Sequence, residues 1–237
     1  MKKLLALALL LPSLAMADDN IRFKKADQQT SFVGVGLGSH SSSIMAKYAV
    51  TDEHSVNVML IENSDDFKQY ITTYSYITDT SSAYAGYSTN TWGTDVYRAG
   101  GTYTEDVGIT SLTYGADVLR ISADGYSSNA GMIGVGTLNK LWDGGYAGAR
   151  VLVGMQGGNN NMDTTGSSFG GTVQQYLTPD FSVSYTLSKD NSYGSSGTGQ
   201  FISMDADLPN VRVSSYVYTN TQQYVDTSFG IAVSYKY

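Results

Sequence analysis

The last ten residues of the chain alternate strictly between two kinds of side chain. Every second position, counted back from the end, is apolar or aromatic: Tyr237, Tyr235, Val233, Ile231 and Phe229. The positions between them hold small or polar residues. Successive side chains of a β-strand point to opposite faces of the sheet, so this pattern predicts a strand with one apolar face and one polar face.

The composition favours a chain of many such strands joined by tight turns. Among the 237 residues, 26 are Gly and 19 are Tyr, whereas the good helix formers Leu, Glu and Lys are sparse. A hydrophobic fraction of 41% is too high for a disordered chain. No segment approaches the run of about 20 apolar residues that a membrane-spanning helix needs. The sequence therefore predicts an all-β protein.

The N-terminus has the pattern of a secretory signal peptide. Lys2 and Lys3 precede an apolar stretch, and Ala15-Met16-Ala17 matches the small residues of a cleavage site, so residues 1–17 are predicted to direct export. The chain has no cysteine, which excludes a lipoprotein anchor, disulfides and a cysteine-ligated metal site; we expect no metal and no cofactor. A net charge of −7 without clusters of Lys and Arg argues against a nucleic-acid partner.

Together, the signal peptide and the C-terminal strand resemble the family of bacterial outer-membrane β-barrel proteins. Members of that family end in an alternating strand with a terminal Phe or Tyr, which the barrel assembly machinery reads. The resemblance implies that Phe229, Ile231, Val233, Tyr235 and Tyr237 form the assembly signal. It further implies a single closed antiparallel transmembrane β-barrel over residues 31–237, behind a periplasmic tail at 18–30. The expected location is the bacterial outer membrane, in contact with its lipid and lipopolysaccharide.

The number of strands follows from the turns. Six short polar turns, each after an apolar or aromatic strand end, are centred near residues 52, 79, 106, 142, 179 and 209, and the last two contain Pro179 and Pro209. They alternate with longer stretches rich in Ser, Gly, Asn and Asp, for example 122–129. Outer-membrane barrels have short periplasmic turns, longer extracellular loops and an even number of strands. Six periplasmic turns predict 14 strands; 12 would result if 68–91 were one folded loop.

Alternation also predicts which side chains line the barrel lumen. A charged residue in a strand should point inward, because Arg or Lys in the middle of a bilayer costs about 2 to 4 kcal/mol. Arg98 and Asp117 lie at similar depth on either side of one turn, which suggests a pair. The candidates for lining the lumen and setting its selectivity are Lys47, Arg98, Asp117, Arg150, Asp205, Asp207, Arg212, Tyr216, Tyr218, Asp226 and Lys236.

The tyrosines are expected to divide between two roles. Five lie just before turns or near the C-terminal end, where an aromatic girdle at the membrane interface is expected: Tyr48, Tyr76, Tyr103, Tyr176 and Tyr235. Tyr216 and Tyr218 lie on the face of their strand that carries Arg212, so we expect them in the lumen, where they could touch a solute.

The function predicted from these patterns is a small porin-like channel. It would pass small hydrophilic solutes by passive diffusion, as a monomer and without enzymatic activity. One alternative is a non-conducting structural barrel that binds partners through its extracellular loops; a lipid-modifying enzyme is a more distant one. The two histidines, His40 and His54, are expected on opposite sides of the membrane, so they cannot share a catalytic site.

Overall fold

The chain forms fourteen β-strands in the computed structural model, which describes residues 30–39, 41–63, 67–158, 164–192, 195–221 and 227–237. In chain order the strands are β1 Phe32–Gly38, β2 Ser41–Ala49, β3 His54–Asn63, β4 Lys68–Ile77, β5 Ser81–Asn90, β6 Asp95–Val107, β7 Thr110–Ala123, β8 Tyr126–Trp142, β9 Gly145–Gly158, β10 Thr164–Thr178, β11 Phe181–Ser192, β12 Ser195–Asp207, β13 Val211–Asn220 and β14 Ser228–Lys236. Over these residues, no helix is long and apolar enough to cross a membrane. The predicted signal peptide and nearly all of the predicted tail lie outside the described residues.

The sheet closes on itself as an antiparallel barrel. Each strand pairs with its neighbours in the chain, and β1 pairs with β14, from Phe32 opposite Lys236 to Gly38 opposite Gly230. The prediction of 14 strands is confirmed. The 12-stranded alternative is wrong, because β4 and β5 form a regular hairpin where that alternative needs a folded loop. Closure leaves no unpaired sheet edge, which is the condition for a β-structure to reside in lipid.

The two faces of the barrel wall differ as the alternation predicts. On β1, Val33, Val35 and Leu37 are exposed on the outer surface, and the glycines between them are buried on the inner face. Ile133 and Met155 on the outer surface are 68% and 70% exposed. Such a continuous apolar exterior is stable in lipid and not in water, so the barrel belongs in the outer membrane.

Two connections are shorter than the sequence predicts. The turn expected near residue 106 is strand: β6 runs on through Val107, and the connection is Gly108-Ile109, with Gly108 at φ = 67°. Likewise, most of 122–129 is strand, because β7 and β8 are joined by Asp124-Gly125 alone. Two-residue hairpins need positive φ, which Gly supplies, and this lets polar residues on either side stay in the ladder. The polar residues of these segments therefore indicate that the strands continue into water. They do not indicate that the strands end there.

Strand length divides the barrel into two parts. Strands β6 to β12, here called the high wall, have 12 to 17 residues each. Strands β13, β14 and β1 to β5, here called the low wall, have 7 to 10. A spanning strand needs about 9 to 11 residues, so the high wall projects beyond the hydrocarbon layer.

Candidate functional site

The inner face of the barrel is the candidate site, and it carries most of the charged residues singled out from the sequence. Strand register places ten of the eleven lumen candidates on this face: Lys47, Arg98, Asp117, Arg150, Asp205, Asp207, Arg212, Tyr216, Tyr218 and Lys236. Asp226 lies outside the described residues. The part of these side chains in selectivity stays a prediction.

Arg98 and Asp117 form an ion pair across the β6–β7 hairpin. The Arg98 Nε donates to Asp117 Oδ2 at 2.9 Å, and Nη2 donates to the same oxygen. Tyr84 on β5 completes the cluster: its hydroxyl donates to Asp117, and its ring lies under the Arg98 guanidinium at 4.9 Å from the centroid. The Asp117 side chain is only 5% exposed. This carboxylate is therefore neutralised by its neighbours and offers little attraction to a passing cation.

A second ion pair joins strands that are not adjacent. Lys236 on β14 reaches across β13 to Asp207 on β12, with 2.6 Å between Nζ and Oδ1. Two residues along β12, Asp205 accepts hydrogen bonds from Ser214 at 2.6 Å and from Ser203 at 3.2 Å. Arg212 pairs with Asp207 in strand register. Opposite charges thus lie side by side on β12 to β14, which the sequence pattern also indicates.

The two remaining cations occupy separate parts of the inner face. Lys47 on β2 lies opposite Phe32 of β1 and Asn57 of β3. Arg150 on β9 folds across Gly170 of β10, where an added Cβ would come within 3.2 Å of its Nε. Neither residue is brought together with the two ion pairs by the register. The inner charges are distributed around the ring and do not form one cluster.

Large inward side chains on several strands lie flat over a glycine of the neighbouring strand. A Cβ added to Gly230 would meet the Tyr216 ring at 2.6 Å, and one added to Gly154 would meet Met132 at 2.7 Å. The same arrangement places Tyr84 over Gly100. A missing Cβ leaves a shallow groove in the wall, and the neighbouring side chain fills it. These side chains consequently pack against the wall of the neighbouring strand.

The structure corrects one tyrosine and places on the inner face several aromatics that the sequence analysis did not single out. Tyr176, predicted for the interfacial girdle, faces inward: it pairs with Ser182, which in turn pairs with the inward Asp205. By strand register these are Phe32, Tyr126 and Tyr146, and also Tyr84 and Phe201. Tyr84 and Phe201 contact residues that were singled out. Each lies between outward neighbours, so alternation read from Ala83 and Ala85, or from Gln200 and Ile202, could have placed them.

No histidine of the described residues lies on the inner face. His54 lies at the start of β3 on the outer surface, where its Nδ1 is 2.5 Å from the Tyr74 hydroxyl and its ring packs on Tyr76 at 4.8 Å between centroids. His40 lies outside the described residues. Within the described part of the chain, no group of three or more His, Cys, Asp or Glu is placed to hold a metal ion.

Comparisons with known proteins support the fold independently. No protein-family model and no curated protein matches the chain. Among solved structures, OmpT, an outer membrane protein of Vibrio cholerae, is similar with a TM-score of 0.53 at 10% identity, covering 87% of this chain and 96% of that one. A trimer form of the same protein has the same score. An anion-selective porin from Comamonas acidovorans is similar with a TM-score of 0.50 at 8% identity, covering 87% and 98%. The chain therefore has the closed β-barrel fold of outer-membrane porins.

Proposed function

We propose that the protein is a porin-like channel through which small hydrophilic solutes diffuse passively across the outer membrane. The observation that carries the proposal is the inner face of the closed ring. Hydroxyls, amides, paired charges and glycines line much of it, and several of its largest side chains pack over a glycine of the neighbouring strand. A polar interior of this kind is the interior of a water-filled barrel and not of a packed core.

Barrel size supports the same function. Barrels of eight strands are filled by their own side chains, whereas barrels of 16 to 18 strands leave an aqueous channel. Fourteen strands lie between these two sizes. We propose a channel of intermediate bore. We expect weak ion selectivity, toward anions, because Arg98 neutralises Asp117 and Lys236 neutralises Asp207, whereas Lys47 and Arg150 lie apart from both pairs.

We propose transport without catalysis. The one described histidine, His54, is on the outer surface against Tyr74, away from the lumen. A monomeric state, contact with lipopolysaccharide and recognition of the C-terminal strand by the assembly machinery remain parts of the proposal.

Single-channel recording in planar bilayers tests the function directly. Refolded protein should insert and give stable, ohmic conductance steps in potassium chloride, with a reversal potential of only a few millivolts across a salt gradient. The protein's resistance to detergent shows whether it is folded. If folded protein gives no conductance at any voltage, the channel hypothesis is overturned and the structural barrel is the better explanation.

A further inference from the structure

We infer that the inner face of β12 and β13 is a binding surface for the pyranose rings of carbohydrates. The inference rests on the proposed channel function and names the class of solute that this part of the lumen favours. Three inward aromatic residues, Phe201, Tyr216 and Tyr218, form the surface, which we call the aromatic panel. Serine and aspartate side chains border it.

The rings of the panel lie close together on the wall. Phe201 and Tyr216 lie nearly parallel, at an interplanar angle of 17° with 5.8 Å between centroids. Tyr216 covers Gly230 on β14, and Tyr218 covers Gly199 on β12, where an added Cβ would meet its hydroxyl at 3.3 Å. Each tyrosine thus packs against a glycine of the neighbouring strand, and Tyr216 keeps part of its surface exposed. Together with Phe201, the two tyrosines form an aromatic patch on the inner face.

Filling a groove over a glycine does not by itself require an aromatic ring, since Met132 fills the groove over Gly154. Tyrosines on the outer surface anchor the barrel at the membrane interface, but the panel faces inward. Tyr216 is 37% exposed, so its ring is not covered by a packed core. Exposed apolar surface that is not a fold requirement is a mark of a binding site, and aromatic side chains dominate such sites.

The border of the panel supplies hydrogen-bonding groups at short spacing. The hydroxyls of Ser184 and Ser203 are 2.8 Å apart, and Ser203 also donates to Asp205. Ser214 donates to the other oxygen of Asp205. These groups can exchange partners with a ligand without losing hydrogen bonds, since hydroxyls both donate and accept.

A sugar ring has the two properties that this surface matches. The C–H groups of a pyranose form an apolar face that packs on an aromatic ring, and its hydroxyls form a polar rim. Aromatic rings with a polar tip, such as Tyr, suit this mixed chemistry. A simple inorganic ion would gain nothing from the rings, and a purely apolar solute would gain nothing from the serines.

Met132 provides a matched control within the same lumen. Like Tyr216, it lies flat over a glycine, Gly154 of the neighbouring strand. It narrows the lumen in the same manner but has no ring. Replacing it changes the bore without touching the panel.

The test uses refolded full-length protein and three neutral hexasaccharides: maltohexaose and cellohexaose, which differ in linkage, and xylohexaose, which has the linkage of cellohexaose but a different sugar. Neutral probes remove any contribution of lumen charge. Binding is measured by calorimetry in detergent and by interruption of the single-channel current. We expect at least one sugar to bind and to block. The double variant Phe201→Leu, Tyr216→Leu should weaken both by about tenfold, because it keeps the bulk and removes two stacking faces.

Two further variants separate the effect of aromatic stacking on sugar binding from the effect of the channel's width. Tyr216→Phe keeps the ring and should bind within about twofold of the parent, and Met132→Leu should do the same. The inference is overturned if none of the three sugars binds, or if the double variant binds as tightly as the parent. A protein that binds sugar by calorimetry but conducts no ions would instead overturn the channel and leave the binding surface standing.

Discussion

The high wall and the low wall are built from the same alternation, but they depend on different contacts. The high wall has strands of up to 17 residues with long hydrogen-bonded ladders, and its β6–β7 hairpin carries the Arg98–Asp117 pair. The low wall has strands of 7 to 10 residues and contains the β1–β14 seam where the two ends of the chain meet. The strands of the high wall are therefore longer than a bilayer requires, and those of the low wall are near the minimum length.

This difference suggests where the barrel is most easily broken. A short strand that pairs residues near opposite ends of the sequence depends on every register position, and its closure comes late because of the length of chain it must join. A long hairpin tolerates a local defect, since the ladder on either side remains. The low wall should accordingly set whether the barrel closes, and the high wall should set how much stability the closed barrel has.

The largest effect is expected at the seam. Gly34 of β1 approaches β14 so closely that an added Cβ would lie 2.8 Å from the carbonyl oxygen of Val233. Backbone cannot rotate away, so Gly34→Val should force the two strands apart, at a cost of about 3 kcal/mol or more. We expect most of the protein to fail to form a closed barrel. The fraction that closes is measured on gels, because a folded barrel changes its mobility when it is heated.

Gly131 of the high wall is the control for this substitution. An added Cβ there meets nothing nearer than the Asp117 carbonyl oxygen at 3.9 Å. Gly131→Val should refold like the parent. Equal folding yields for the two variants would show that the seam is not the weak point of the ring.

An intermediate effect is expected from the two ion pairs. Arg98→Ala leaves Asp117, 5% exposed, without its guanidinium, and should lower the free energy of unfolding in urea by about 2 kcal/mol. Lys236→Ala removes one point contact from Asp207, which is 17% exposed, and should cost about 1 kcal/mol.

A double variant distinguishes the buried charge from lost packing. Arg98→Ala combined with Asp117→Ala should be more stable than Arg98→Ala alone, because no uncompensated carboxylate remains. If the double variant is the less stable of the two, the cost comes from packing around Tyr84 and not from the charge.

An effect no larger than that of Lys236→Ala is expected in a turn of the high wall. Gly108 has φ = 67°, and an added Cβ would meet nothing within 4 Å. Gly108→Ala therefore introduces backbone strain without a clash and should cost about 1 kcal/mol. Gly108→Asn should cost less, because Asn tolerates this conformation. A penalty for Ala as large as that of Gly34→Val would contradict the idea that the high wall absorbs local defects.

The fold was predictable from the sequence to the level of strand number and face. Alternation placed Ile231 on the apolar face and Arg98 inside, since charge is excluded from lipid whatever the register. The ends of strands were less accessible: Glu105 and Asp106 look like a turn, yet they continue β6 because the high wall extends into water. Polarity reports the environment of a residue and not whether its backbone is paired.

The candidate site was predictable in part for the same reason. The Arg98–Asp117 pair is local to one hairpin, so its neighbours in space are also near in sequence. The participation of Tyr84 and the packing of Phe201 on Tyr216 depend on which residues face each other across strands, and on glycines that let rings lie down.

The sequence by itself determined the chemistry of the two faces in the middle of the strands, because alternation and the exclusion of charge from lipid leave one orientation for a charged side chain there. It did not determine the orientation of Tyr176, an uncharged residue near a strand end. It also determined the even strand number, through six turns that interrupt the pattern. The tertiary structure decided the register at the closing seam, the unequal height of the two walls and the conversion of scattered inward residues into ion pairs and an aromatic panel. Those features depend on distances between strands, which a one-dimensional pattern does not contain.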